Sequence, residues 1–214
     1  MTQILREPAT SLVRPARLLL IALLPLVAFM AMAHTTVVGN SAGEMNAAQV
    51  DDRALRWMIV AVLWILPVVL GAVAFSAITA GRAVKVLATV GIALLIAYVA
   101  AQAAVVWIDD TYLIADSSWF ALAMLLSILG WWAIDLAAVL TCLHLFRTKV
   151  VPRTALVIGI LTAVLTLLEV AIYLPALLGA QELHATVGLP PMLLPVLWAI
   201  LGGVLWRNLT AVSR

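Results

Sequence analysis

Cysteine is almost absent from this chain. The single Cys142 lies inside an apolar run, which excludes an intramolecular disulfide and leaves no set of thiolates for a structural zinc or an iron–sulfur cluster. Charge is nearly as scarce, at 10% of the 214 residues, against roughly 25% in an ordinary soluble domain. So little polar surface cannot coat a water-soluble globule. Lysine is confined to Lys85 and Lys149, and this preference for Arg, together with abundant Ala, Leu and Val, points to a GC-rich bacterial genome. Period-two alternation of apolar and polar residues is also missing, which excludes a transmembrane β-barrel. The net charge of +2 gives no footprint for nucleic acid, because the basic residues stand at the ends of apolar runs.

What is present is apolar sequence in long stretches, 66% of the chain. A bilayer core about 30 Å thick needs roughly 20 helical residues at 1.5 Å each, so the distance between charges is the useful measure. Six stretches meet or approach it, at about 18–33, 57–80, 86–107, 119–146, 154–179 and 189–206. The expected fold is therefore all-α: one polytopic transmembrane bundle of about six helices over residues 1–214.

Orientation follows from the connecting segments. Arg6, Arg14 and Arg17 precede the first span, Arg82 and Lys85 fill the second loop, Arg147, Lys149 and Arg153 the fourth, and Arg207 and Arg214 the tail. These are ten of the twelve basic residues. The odd loops hold Glu44, Asp51, Asp52, Asp109, Asp110, Asp116 and Glu182, with Arg53 and Arg56. The positive-inside rule then expects both termini in the cytoplasm of a cell with the chain in its inner membrane. Trp57, Trp107, Tyr112 and Trp119 fall at the outer interface and Phe146 and Trp206 at the inner one, as an aromatic belt requires. The first run is short, follows two arginines and ends Ala31-Met32-Ala33; a cleaved signal peptide has the same layout, so a retained helix and a removed leader both stand at this stage.

The loops leave no room for a soluble catalytic domain, and any chemistry must be built between helices. Asp116-Ser117-Ser118 reads as a helix N-cap, and Pro152 after Arg147-Thr148-Lys149 starts the fifth span, making a tight hairpin of spans four and five. Ala93, Ala97 and Ala101 form a small-residue row expected to let another helix approach span three, where Tyr98 and Gln102 are a polar pair.

Asp135 and Glu169 are the only acids inside the apolar spans. A carboxyl group in lipid is costly and faces a protein interior or a water-filled path. Counted from the shared loop on the ideal rise, Asp135 is about 16 Å deep and Glu169 about 22 Å, so the two share a level to within about 6 Å. Thr162, Thr166 and Tyr173 stand at offsets of −7, −3 and +4 from Glu169 and share its face at about 100° per residue. On span four, Trp131 and Cys142 lie near the azimuth of Asp135. Asp135, Glu169, Thr162, Thr166, Tyr173 and Trp131 are thus the candidates to line a cavity or hold a ligand. Carboxyls placed where charge is costly suit proton exchange or a cationic or hydrogen-bonding ligand. The competing reading is structural, with each acid neutral and bonded to a neighbouring hydroxyl or carbonyl.

Other motifs carry less. His34 and His144 fall at opposite ends of their spans and cannot ligate one haem iron, and His184 is in a loop. Gly39-Asn40-Ser41-Ala42-Gly43 spells a nucleophile elbow without the strand and helix that one needs. No metal ligand set, catalytic group or cofactor is expected.

Arg147-Thr148-Lys149-Val150-Val151-Pro152-Arg153 followed by Gly159, with Leu189-Pro190-Pro191 and Trp198-Ala199-Ile200-Leu201-Gly202, resembles a pattern in small, uncharacterised bacterial integral membrane proteins of about six helices. The resemblance covers the C-terminal third and implies the fold alone. Two functions remain open: a small carrier or proton-linked transporter using Asp135 and Glu169, or a non-catalytic accessory, assembly or immunity subunit of a membrane complex. Lipid, and either a second copy of the chain or a membrane-complex partner, are the expected neighbours.

Overall fold

The computed structural model describes residues 6–37, 54–79, 81–108, 117–177 and 189–212. They fold into seven helices and no strand: α1 (Arg6–Ile21), α2 (Leu23–Val37), α3 (Ala54–Ile78), α4 (Arg82–Trp107), α5 (Ser118–Arg147), α6 (Pro152–Leu177) and α7 (Leu189–Val212). α1 and α2 run on from one another, since the Ala22 N–H still donates to the Leu18 carbonyl at 3.0 Å across the break. Together they form one apolar span, Ser11–Met32, and the described residues hold six helical spans long and apolar enough to cross a membrane.

The first span begins earlier than the charges suggest. Arg14 and Arg17 are exposed while Pro15, Ala16 and Leu19 between and beyond them are buried, so the arginines ride on the outer side of the helix with their stems along it. Arg17 lies 5.9 Å from the Trp206 ring centroid, a cation–π contact that ties the first span to the last. Their backbones meet at Gly202, where a Cβ would stand 2.7 Å from the Ala16 carbonyl oxygen. Ala16 and Leu19 are fully buried, so this span is part of the core.

Closure of first span on last arranges the rest around α3 and α5. α3 packs on α1, α2, α4, α5 and α7, and α5 on α3, α4 and α6. Half of the α5 core window is buried, against 28% for α4 and for α6, which therefore lie at the rim. Each seam depends on small residues, as expected where van der Waals packing replaces the hydrophobic effect. α4 meets α5 at Gly91 and Gly130, with Leu95 and Ile134 filling the space beside them. The row Ala93, Ala97, Ala101 is not this seam, because Ala93 is exposed and Ala101 alone of the three is buried; the partner glycine decides which face is used.

Local chemistry sets the ends. Ser117 caps α5, its Oγ accepting the Phe120 N–H at 3.0 Å. Pro152 opens α6 after a turn in which Lys149 takes a left-handed φ of 58°. Trp107 and Trp119 are exposed, whereas Trp57 is buried and donates its indole N–H to Gln102 Oε1 at 2.8 Å. Trp57 thus serves the core rather than an interfacial belt, and Tyr98, hydrogen-bonded to Gln102, extends the same network. Tyr112, His184, the loop acids, residues 39–43 and residues 178–179 lie outside the described residues.

Candidate functional site

Along α5, Ser127, Trp131 and Asp135 recur every four residues and so stack on one face. α3 supplies the facing aromatic group: Trp64 donates to Ser127 Oγ at 3.2 Å, and its ring lies 5.0 Å from that of Trp131 and 5.0 Å from that of Phe29. Trp131 is thereby fixed from the α3 side, with Asp135 one turn along.

α6 meets the same region with its polar row. The helices come closest where Gly159, lacking a side chain, admits Cys142, whose Cβ would be 2.9 Å from a Cβ added at the glycine. Seven residues back along α5 and seven forward along α6, Thr166 Oγ1 reaches Asp135 Oδ2 at 3.3 Å. The antiparallel register is therefore constant, and three further residues bring Glu169 level with Trp132. Asp135 and Glu169 are consequently near enough to act on one another electrostatically, as are Glu169 and Tyr173. Asp135, Thr162, Glu169, Trp131 and Tyr173 are all buried, and Thr166 half-buried. Thr166 and Asp135 are thus joined across the α5–α6 seam, whereas Trp131 packs on Trp64 of α3.

Thr166 also contacts the Thr162 carbonyl at 2.9 Å. A hydroxyl has one proton to give and lone pairs to receive. The Thr166 hydroxyl thus stands as donor to two acceptors, the Thr162 carbonyl and Asp135 Oδ2, and its one proton is shared between them.

The seam is not saturated. Asp135 Oδ1, Glu169 Oε1, Thr162 Oγ1 and the indole nitrogens of Trp131 and Trp132 are buried and meet no hydrogen-bond partner. An unmade bond on a buried polar atom costs about 1–3 kcal/mol, and these five atoms belong to residues within about two helical turns of one another by the register of the two helices; Thr79 Oγ1 and Trp198 Nε1, elsewhere in the bundle, are likewise buried without a partner. Among the described residues, no buried Lys, Arg or His offsets the two acids, and no three of His, Cys, Asp and Glu cluster as metal ligands.

No family model, curated protein or solved structure matches the chain. The aromatic wall was the part missed from sequence: Ser127 stands four residues before Trp131, a spacing that extends the Asp135 row, but Trp64 comes from a distant span and carries no such signal. Trp132 lies off the Asp135 azimuth, and its indole nitrogen is buried without a partner.

Proposed function

We propose that the chain is a small proton-linked carrier of the cytoplasmic membrane, with both termini in the cytoplasm, in which Asp135 and Glu169 exchange protons for a transported solute. The observation that carries this reading is the pair of buried carboxyls on α5 and α6, within about one helical turn of each other in level by the register of the two helices, each with an oxygen that meets no partner. Acids in a membrane interior are expensive and mark ion or proton paths, and among the described residues no buried base accompanies this pair. The concentration of basic residues before the first span, in alternate loops and in the tail supports the orientation.

The test uses proteoliposomes holding the purified chain and an internal pH dye, challenged with a panel of organic cations, inorganic cations, anions and neutral solutes. Wild-type protein is expected to couple at least one solute gradient to proton movement, and Asp135→Asn with Glu169→Gln to reduce it to the level of empty liposomes. The amides keep the shape of the acids but cannot cycle a proton. An accessory or assembly subunit needs no acid at this level, so full cellular function in the double variant discards the carrier and leaves that second role.

A further inference from the structure

Resting on the carrier reading, we infer that the α5–α6 seam takes an organic monocation bearing N–H donors, of the ammonium or guanidinium type, and that one such cation displaces one proton. Three independent features lead there. The first is the sign of the site: two buried acids and, among the described residues, no buried base. Negative charge can appear on the pair only when a cation arrives from outside, so proton and solute cation exclude one another.

The second feature is the unfilled hydrogen bonding. Asp135 Oδ1 and Glu169 Oε1 are acceptors without donors, within about one helical turn of each other by the register of α5 on α6. An N–H-bearing cation fills both, through charge-assisted bonds stronger than neutral ones. A bare metal ion is a poorer match, because it needs several oxygens converging on a point, and Thr162 Oγ1 is about 10 Å along α6 from Glu169 on the helical rise.

The third feature is the aromatic wall. Trp131, backed by Trp64 and Phe29, lies one turn from Asp135. A tryptophan face attracts a cation, most strongly where water is excluded. The exchange balances in charge: the site begins with both acids protonated, the monocation enters, one carboxyl releases its proton to water, and the site remains neutral with the cation bound.

Guanidinium is the probe of choice, since it stays charged at all workable pH values and does not cross the bilayer as a free base. Added outside dye-loaded proteoliposomes, it is expected to drive protons out and make the lumen alkaline in a saturable way, while equal potassium does not. Asp135→Asn and Glu169→Gln should each remove the response. Trp131→Leu, which leaves both acids in place, should raise the half-saturating concentration at least about threefold, as loss of a cation–π contact requires. Size-exclusion profiles of each variant separate lost binding from lost folding.

A saturable guanidinium response with this variant pattern supports the inference. Proton coupling to an inorganic cation, an anion or a neutral solute, with none to guanidinium, overturns it but keeps the carrier. Silence of wild-type protein towards every solute overturns both.

Discussion

Gly91→Val is expected to destabilise the folded bundle by about 3 kcal/mol or more. A Cβ at this position meets Ile134 Cγ1 directly and stands 2.9 Å from the Gly130 carbonyl oxygen and from Ile134 Cδ1. Ile134 is fully buried and cannot swing aside, and the carbonyl belongs to the α5 backbone. α4 must then move away from α5 along its length, because helices are stiff and cores are close-packed. Overpacking typically costs about 1–3 kcal/mol for extra methylenes, and a backbone obstruction with a branched side chain lies at or above the top of that range. Against a total stability of about 5–15 kcal/mol, the loss is large. Ala93→Val, two residues away on an exposed face, is the control and should behave as wild type. Thermal unfolding of both variants in detergent, followed by size exclusion, decides the matter; equal melting of Gly91→Val and wild type refutes the account of this seam.

The second large effect concerns Trp198, which is fully buried between α3 and α7 with its ring edge-on to Phe75 at 5.1 Å. Trp198→Ala should destabilise the bundle by about 3–5 kcal/mol, the range for emptying a large aromatic site. Gly71 makes the prediction sharper. A Cβ there would lie 2.8 Å from Trp198 Cε3 and 2.9 Å from Cζ3, so Gly71→Ala alone is destabilising. With the indole gone the obstruction goes too, and the added methyl occupies part of the vacated space. Gly71→Ala should therefore be neutral or favourable in the Trp198→Ala background. A double-mutant cycle reads this as a strong coupling of the two sites; simple additivity would show that the two positions do not share one space.

The six spans were legible because charge is excluded from lipid, and the distance between charges measures helices directly. The start of the first span was not, because arginines can lie along the outside of a helix they seem to terminate. The polar face of α6 was legible for a related reason: Thr162, Thr166, Glu169 and Tyr173 stand out from an otherwise apolar helix, and their spacing alone puts them together. What opposes them is a different kind of information. The row Ala93, Ala97, Ala101 has the small residues of a packing face, yet Gly91 makes the contact, since the choice depends on Gly130 and Ile134 of another helix. Trp64 is hidden in the same way, joined to Trp131 and Ser127 by tertiary structure across more than sixty residues of chain.

Cys142 pressed against Gly159 gives the chain a built-in gauge of its own opening. The thiol is the sole cysteine in the sequence, is buried, and is shielded at the spot where α6 carries no side chain. Any working stroke that parts α5 from α6 must bare that sulfur, whereas strokes elsewhere in the bundle leave it covered. The speed at which a membrane-permeant alkylating reagent consumes it therefore reports any parting of α5 from α6, in the unaltered protein.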